Sequence, residues 1–381
     1  MEIIQFTPND KKMVNRFIDL PFQIYRNTSQ WVPPLLIDEH ARFNTQKYPF
    51  YKNSEAAFFL AVNGDKTLGR LAVLNNRIYN DYNKENTAFF YLFECEDRPE
   101  AASGLFQAAI EWAKSRRLNN LLGPKGFTAL DGFGLLVDGF DHRPAMGIPY
   151  NHSYYSKLLE GVGFKTASES VSGHLDANMN FPDRIHELSQ LIQKRRGLTI
   201  ARFKTRKDLK ALIPQLKDLY NGALEGTEGG TPLTDDDAKA LASQILWFAD
   251  PSLIKIVIKI DPLIPDNQQM VGFLLAYPDI SAALSKIKGR LFPFGWISIL
   301  FELRGTKWMN INGAGLKKEY QGLGGTALLF SEMQKSVTES GQFHHADIVQ
   351  VGLENQKMQR EMENFGINFY KTHRMYQIFL A

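Results

Sequence analysis

The chain has 381 residues, of which 44% are hydrophobic and 22% charged, and its formal net charge is +3. Its length exceeds one usual hydrophobic core and predicts two domains, while the small charge without a basic arm argues against a nucleic-acid partner. The single cysteine, Cys95, leaves neither a disulfide framework nor a thiolate metal site, so we expect no metal. Residues Met1–Thr7 lack the features of a secretory signal, and no stretch approaches the roughly 18 apolar residues of a membrane span, which predicts a cytoplasmic protein.

The first half of the chain predicts one α/β unit. Its elements are a strand at Glu2–Phe6, a helix from Asp10 to about Arg26, strands at Ala57–Val62, Leu68–Leu74 and Thr87–Phe93, a helix from Pro99 to about Arg116, and a short helix before Gly163-Phe164. Asn63-Gly64-Asp65 has the composition of a hairpin turn between the first two of the three consecutive strands.

The second half repeats this order. The segment Asp183–Arg196 predicts a connecting helix, and after it come a strand at Leu198–Lys204, a helix at Lys207–Leu224, and strands at Leu253–Ile260 and Met270–Tyr277. Repetition at half length indicates two copies of one unit. We therefore predict domains at 1–180 and 198–381, joined by a linker at 181–197.

A glycine-rich turn near the C-terminus predicts an anion site. The apolar run Trp308–Leu316 reads as a strand, KKEYQGLGGTALL follows at 317–329, and Ala327–Lys335 reads as a helix. Glycines allow close backbone approach, and the first N–H groups of a helix lack intrahelical acceptors. The spacing of the glycines matches neither the Walker loop nor the dinucleotide fingerprint.

A second pattern follows about thirty residues later. The apolar strand 346–353 leads to Glu354 and Asn355, a helix at Gln359–Asn364, the tripeptide Phe365-Gly366-Ile367 and a last strand at 369–379. Together with Gln321 and Gly324 of the turn, this order and spacing resemble the GNAT-type N-acyltransferases over roughly residues 198–381. Thr326 departs from the pattern, because Gly or Ala is usual at that position.

The resemblance implies two tandem GNAT-like domains, each a mixed, mostly antiparallel sheet flanked by helices. It also implies acetyl-CoA or another acyl-CoA as co-substrate. The residues expected at the CoA site are Leu316, Gln321, Gly322, Leu323, Gly324, Gly325, Thr326 and Asn355. In this family the strand before the turn splays from its neighbour, and a backbone N–H near 314–316 binds the thioester oxygen. We expect Gly324→Glu to abolish CoA binding and to leave the fold intact.

The catalytic groups are less clearly indicated. Glu354 is the candidate base, although an exposed carboxylate beside a helix start is the alternative. Met362 stands where the family usually has the tyrosine that protonates the thiolate. Either Tyr370, Tyr376 or solvent supplies this proton, or the domain binds acyl-CoA without transferring the acyl group. Asn310 and Asn312 alternate along their strand and are candidates for binding the acceptor or the pantetheine arm.

The first copy lacks the phosphate-binding pattern. Where the glycine turn would stand it has the segment 94–100, ECEDRPE, with four carboxylates that would repel a pyrophosphate. We therefore expect a degenerate copy without bound CoA. The glycine-rich loop 123–134 carries Lys125 and Asp131, and it either lines the acceptor site or is an irregular connection packed by its aromatic residues.

One segment bears on the substrate. Residues 286–301 join three basic residues to an apolar, aromatic run. The segment could serve as a lid, cover a long acyl chain or contact a membrane surface. The alternative, which the sequence favours, is a buried strand and hairpin of the core.

The function expected from the sequence is N-acyl transfer, with acetyl as the expected group, from CoA to a small-molecule or lipid amine by direct attack. The alternatives are long-chain acyl transfer to a lipid amine and non-catalytic acyl-CoA binding. Acceptor identity and oligomeric state are not predicted.

Overall fold

The computed structural model describes residues 1–129, 131–176, 183–225, 230–246, 248–260 and 268–380. The chain forms two compact units. Unit 1 comprises Met1–Val171, Ser281–Leu300 and Tyr370–Ala381, and unit 2 comprises Ser172–Ile280 and Phe301–Phe369. The predicted domains at 1–180 and 198–381 are each continuous in sequence, and their boundaries stay a prediction.

Strands and helices are mixed along the chain, with strands often following one another in hairpins. The strands are β1 (Glu2–Phe6), β2 (Glu55–Asn63), β3 (Lys66–Asn75), β4 (Thr87–Cys95), β5 (Asn120–Gly123), β6 (Leu135–Asp138), β7 (Lys165–Asp176), β8 (Leu198–Ala201), β9 (Ile254–Ile260), β10 (Gln268–Pro278), β11 (Trp308–Leu316), β12 (His345–Gly352) and β13 (Asn368–Phe379). The helices are α1 (Lys11–Ile24), α2 (Leu36–Ala41), α3 (Arg77–Asn83), α4 (Pro99–Ser115), α5 (Tyr155–Val162), α6 (Asp183–Arg196), α7 (Arg206–Ala211), α8 (Ile213–Leu224), α9 (Asp235–Leu246), α10 (Ser281–Ile287), α11 (Gly295–Gly305), α12 (Gly325–Ser340) and α13 (Gln356–Asn364).

Unit 1 contains a sheet in the order β1-β2-β3-β4-β5-β13, with β6 pairing with β13. The β4–β5 pair is parallel, and the other registered pairs in this unit are antiparallel. Alternate residues of β2 enter two apolar clusters: Phe59 packs in the cluster that contains α4 and α5, and Phe58 packs with α1. Because both faces are covered, these strands are apolar throughout.

Unit 2 contains the strand order β8-β9-β10-β11-β12, with β7 beside β12. The β11–β12 pair is parallel, and the pairs from β8 to β11 are antiparallel. One face packs against α12 through Leu328 and Phe330, and the other packs against α7 and α8 through Leu209 and Leu219. The mixed, mostly antiparallel sheets flanked by helices confirm the predicted fold class.

Three expectations about individual elements are corrected. The helix predicted at Lys207–Leu224 is two helices, because Pro214 in the first turn of α8 begins a new one after Leu212. The last strand, predicted at 369–379 as the end of the second copy, belongs to unit 1 from Tyr370 onward. There Tyr376–Phe379 pair with β5. The buried strand and hairpin favoured for residues 286–301 are absent from this described segment, where α10 and α11 flank an exposed turn.

Within the described ranges, no helix combines the length and apolar character needed to cross a bilayer.

Candidate functional site

A parallel strand pair in unit 2 opens partway along its length. Residues Trp308–Ile311 of β11 pair with His345–Ile348 of β12, and the ladder ends there. Beyond this point β11 continues to pair with β10 as far as Leu316, while the N–H of Gln350 on β12 donates to Ser172 Oγ on β7 at 3.2 Å. Each strand therefore follows its outer neighbour, which leaves the inner backbone edges of their last residues facing a gap.

A β-bulge marks the start of this gap. Leu275 and Ala276 of β10 lie opposite Gly313 and Ile311, so Asn312 of β11 has no opposite residue. A bulge bends its strand and re-aims backbone groups, and bulges are frequent beside active sites. Asn312 Oδ1 is buried, and it has no hydrogen-bond partner among the described residues. The bulge thus places an unsatisfied acceptor beside the gap.

Asn310 on the same strand also has a buried Oδ1 without a partner among the described residues. Its side chain is fully buried, and Nδ2 donates to Asp279 Oδ2 at 3.1 Å. The bulge interrupts the regular alternation that the sequence suggested for Asn310 and Asn312. Asn310 belongs to the polar interior of unit 2, and its predicted role in acceptor binding stays a prediction.

The glycine-rich turn begins where β11 ends. Gly322 (φ 71°) and Gly324 (φ 88°) adopt the left-handed conformation, and Gly324 is the N-cap of α12 without a side-chain cap. Gln321 Nε2 donates to the carbonyl oxygen of Leu316 at 3.2 Å and ties the turn back to the strand. The uncapped N–H groups of α12 and the helix dipole together suit a negatively charged group.

Helix α6 packs directly against this turn. A Cβ atom added at Gly324 would overlap Cδ1 of Ile192, and a Cβ at Gly325 would stand 2.7 Å from Leu316 Cδ2. The two glycines therefore allow α6 on one side and the end of β11 on the other to approach the turn. The expectation that Gly324→Glu would leave the fold intact is wrong, because the new side chain meets both a positive φ and Ile192.

The residues after β12 lie at the start of α13. Asn355 Oδ1 accepts the N–H of Met358 at 3.1 Å and caps this helix, which satisfies one free N–H. Glu354 is exposed, and its carboxylate folds over Gly352 at the end of β12. Met362 is only 3% exposed and packs in the core of unit 2. The expected roles of Glu354 as base and of Asn355 at the CoA site stay predictions.

Tyr370 and Tyr376 belong to unit 1, whereas the glycine turn belongs to unit 2. Tyr376 is fully buried in the core of unit 1, where Arg374 Nη1 donates to its hydroxyl at 3.5 Å. The ring centre of Tyr370 lies 4.8 Å from that of His142 and 4.4 Å from Lys371 Nζ. Their proposed role as acids stays a prediction.

The loop 123–134 is packed into unit 1 by Phe127, which is 4% exposed. Lys125 Nζ lies 4.4 Å from the ring centre of Tyr79, and burial lowers the pKa of Lys125 to about 8. Asp131 accepts from Arg42 Nη2 at 2.8 Å and from the N–H of Thr128 at 2.8 Å. Both predicted acceptor-binding residues thus make structural contacts within unit 1.

A buried polar network in unit 1 was missed by the sequence reasoning. Glu94 Oε2 accepts from the hydroxyls of Tyr25 at 2.6 Å and Tyr155 at 2.7 Å, and Glu94 Oε1 lies 3.9 Å from Arg70 Nη2. Burial raises the pKa of Glu94, and the Arg70 charge and the tyrosine hydroxyls partly oppose this shift. The available signal was a single carboxylate inside the apolar strand pattern of β4.

The other carboxylates of segment 94–100 are partly neutralised. Glu96 pairs with Arg98 Nε at 3.2 Å and with Lys66 Nζ at 2.7 Å, and Glu100 lies 3.5 Å from Arg98 Nη1. The predicted group of four carboxylates at one place is therefore corrected, since Glu94 points into the core and the rest flank the start of α4. These pairs occupy the positions that correspond to the glycine turn of unit 2.

The chain is similar over nearly its whole length to two bacterial proteins. It is 27% identical over 380 residues to a bacterial ceramide synthase of Caulobacter vibrioides, which covers 97% of this chain and 95% of that protein. It is 23% identical over 374 residues to protein YghO of Escherichia coli, which covers 97% of this chain and 93% of that protein. No protein-family model matches the chain.

Solved structures share its fold across both units. A tandem GNAT protein from the clavulanic acid biosynthesis pathway superposes with a TM-score of 0.57 at 10% identity, covering 100% of this chain and 98% of that one. A GCN5-related N-acetyltransferase from Anabaena variabilis gives 0.50 at 11% identity, covering 100% of this chain and 73% of that one. Such low identity establishes fold alone. The chain therefore has the fold of the GNAT proteins, in the tandem form seen in the clavulanic acid pathway protein.

Proposed function

We propose that the protein transfers a long acyl group from CoA to the primary amine of a lipid, with one CoA site in unit 2. The observation that carries this proposal is the opened β11–β12 pair leading directly into the uncapped glycine turn of α12. The turn supplies N–H groups for a pyrophosphate, and the gap supplies backbone edges for the pantetheine arm. The pyrophosphate and the pantetheine arm of one CoA molecule would then lie along β11 and the turn that follows it.

The chain's polar groups fit this ligand. Gly322 and Gly324 allow a phosphate to approach the backbone, and Lys317 next to the turn adds positive charge. Asn312 Oδ1, buried without a described partner, is an acceptor suited to an amide N–H of pantetheine. A molecule that brings both phosphate and amide groups would satisfy each of them.

The reaction is a direct attack. The neutral amine nitrogen attacks the thioester carbonyl carbon, an N–C bond forms, negative charge grows on the oxygen, and the C–S bond breaks to release CoA thiolate. The amine proton passes to a base, for which Glu354 is the candidate directly or through water, and the thiolate takes a proton from solvent. Backbone N–H groups of β11 beyond the bulge are the candidates for stabilising the oxygen.

The likeness to the Caulobacter protein supports a lipid acceptor. A ceramide is a long-chain amino alcohol with an acylated nitrogen, and this chain aligns with nearly all of that protein. Long acyl and lipid substrates are therefore preferred here over the acetyl group that the sequence suggested.

An assay of acyl transfer tests this function. The purified protein is mixed with palmitoyl-CoA or acetyl-CoA and either sphinganine or N-acetylsphinganine, and both thiol release and the product mass are measured. We expect an N-palmitoyl product with sphinganine and no amide product when the amine is already acetylated. Equal thiol release with both acceptors and no amide product would indicate hydrolysis and contradict the proposal.

A second candidate is acyl-CoA binding without transfer. It is favoured by Met362, which occupies the place of the family's usual tyrosine and is buried in the core of unit 2. Turnover separates the two candidates. If Tyr370→Phe or Tyr376→Phe lowers turnover while CoA affinity is unchanged, that tyrosine contributes to the chemistry; if the wild-type protein binds palmitoyl-CoA and yields no product with any long-chain amine, the second candidate is supported.

A further inference from the structure

The segment between α10 and α11 of unit 1 exposes an apolar surface. Phe292 is 74% exposed, Phe294 72%, Trp296 47% and Leu300 46%. Phe301, the next residue, is 71% exposed and belongs to unit 2, and elsewhere in the described ranges large exposed apolar side chains stand singly or in pairs along the sequence. We call these four side chains the apolar tip. Single exposed apolar residues are ordinary, but a group of this size in one short segment marks an interaction surface.

The segment that carries the apolar tip is hydrogen-bonded within itself and, before the tip, to the rest of unit 1. The N–H of Leu36 donates to Gly289 O at 3.0 Å, and the N–H of Trp296 donates to Leu291 O at 3.1 Å. Trp296 Nε1 donates to Pro293 O at 3.1 Å, and Ile299 on α11 is buried. The exposed side chains therefore sit on an anchored turn and helix, and their exposure is a property of this fold.

The charged residues within the segment 281–300 are all basic. Lys286, Lys288 and Arg290 are exposed just before it, and residues 281–300 contain no Asp or Glu. Neighbouring aromatic and cationic side chains match the interface of an anionic bilayer, where rings enter the headgroup region and cations meet lipid phosphates. A second copy of this chain would bring the same cations to the contact, where they would repel one another.

We propose that the apolar tip and its three cations dock unit 1 onto the surface of a membrane that contains anionic lipids. The inference rests on the proposed function, because a long-chain lipid amine resides in a bilayer and a docked enzyme meets it there. The occupant is the lipid surface itself, with Phe292, Phe294 and Trp296 entering the headgroup layer. Docking requires neither CoA nor turnover.

Vesicle flotation of the full chain tests the proposal without any assay of acyl transfer. The vesicles are phosphatidylcholine alone or phosphatidylcholine with about one third phosphatidylglycerol, a fraction high enough to give a strongly negative surface. We expect the wild-type protein to float with the anionic vesicles, and far less with the neutral ones. Added salt should weaken binding, since part of it is electrostatic.

Two pairs of substitutions provide matched controls. Phe292→Ser with Phe294→Ser should reduce the bound fraction at least about tenfold, because the apolar area that enters the interface is lost. Phe379→Ser with Tyr82→Ser removes two exposed rings elsewhere in unit 1, of which Phe379 is 74% exposed, and should leave binding unchanged. Lys286→Gln, Lys288→Gln and Arg290→Gln together should remove the preference for anionic vesicles.

Three outcomes would overturn docking: no flotation of the wild-type protein with anionic vesicles, equal loss in both aromatic pairs, or concentration-dependent dimerisation that the Phe292 and Phe294 substitutions abolish. CoA affinity measured on the same variants separates this inference from the proposed function. Unchanged CoA binding with lost flotation affects docking alone, and normal flotation without acyl transfer affects the enzyme proposal alone.

Discussion

Units 1 and 2 contain the same strand–turn–helix arrangement with different chemistry in the turn. In unit 1 the parallel ladder of β4 and β5 ends at Phe89–Leu122, and β4 carries a register irregularity near Leu92, which has φ 52°. In unit 2 the ladder of β11 and β12 ends at Ile311–Ile348, followed by the bulge at Asn312. The parallel pair is thus present twice, but in unit 1 the N–H of Lys125 donates to Phe90 O at 2.9 Å and keeps the chain after β5 against β4.

The turns after these strands differ. In unit 2 the chain reaches α12 through left-handed glycines that leave the helix start uncapped. In unit 1 only Glu96, Asp97 and Arg98 separate β4 from α4, and ion pairs from Arg98 and Lys66 hold the carboxylates in place. Under the proposed function, one backbone arrangement serves ligand binding in unit 2 and structural support in unit 1, according to the side chains of a few residues.

The largest effect is expected from breaking the structural network of unit 1. Glu94→Ala leaves Arg70 buried without its carboxylate and two tyrosine hydroxyls without their acceptor, and it should lower the free energy of unfolding by about 3 kcal/mol. Chemical denaturation measures this. CoA affinity of the folded variant should match that of the wild-type protein, and a parallel loss of CoA binding would place a ligand site in unit 1.

A negative charge in the turn of unit 2 should lower the affinity for CoA rather than the free energy of unfolding. Gly322→Asp places a carboxylate beside the expected pyrophosphate and should weaken CoA binding about 30-fold, or about 2 kcal/mol. Gly322→Asn is the matched control, because Asn and Asp both tolerate the left-handed φ of 71° and are alike in size. Equal affinities of these two variants for CoA would show that no CoA phosphate lies beside the turn.

The pH dependence of stability tests the place of β13 in unit 1. Burial lowers the pKa of His373 to about 4 from 6.5, and its Nε2 lies 3.0 Å from Pro149 O. The unfolded state therefore binds the proton more tightly, and stability that is present above pH 6.5 is lost as the pH falls toward 4.

Between pH 6.5 and 5 the His373 contribution should fall by about 1.5 kcal/mol. The measurement compares the free energy of unfolding of the wild-type protein with that of His373→Gln at both pH values. The variant lacks this titration, so its stability should fall less. Identical changes in the two proteins would show that His373 is not buried as a neutral ring.

The smallest effect is expected from removing exposed carboxylates of unit 1. Glu96→Gln, Asp97→Asn and Glu100→Gln together abolish the repulsion while the short connection and its lack of glycines remain. CoA stoichiometry should be unchanged, because a pyrophosphate also needs the free backbone N–H groups of a glycine turn. A second CoA bound per chain would show that the carboxylates alone prevent unit 1 from binding CoA.

The glycine turn was predictable because its signals are local. Left-handed conformations favour glycine, and the apolar strand before the turn and the helix after it show clear periodicity. The network around Glu94 was not predictable in this way, since its tyrosine partners lie 69 and 61 positions away along the chain. Pairing of Tyr376 with Gly123 is likewise set by packing between distant segments.

The segment 286–301 shows a different limit of the sequence. Its apolar run has the composition of a buried strand, and periodicity alone does not separate a buried apolar run from an exposed one. The structure places Phe292 and Phe294 at the surface. Asn312 was selected from the sequence for its position on the strand, but the bulge that leaves it unpaired was not foreseen.

Calorimetric titration of the wild-type protein with palmitoyl-CoA, beside CoA and acetyl-CoA, measures how many CoA sites the chain holds and which ligand they prefer. We expect one site per chain, with palmitoyl-CoA bound at least as tightly as CoA, and a site that Gly322→Asp weakens and Glu94→Gln leaves unchanged. Two equivalent sites per chain, or no binding of any of the three ligands, would contradict the assignment of a single CoA site to unit 2.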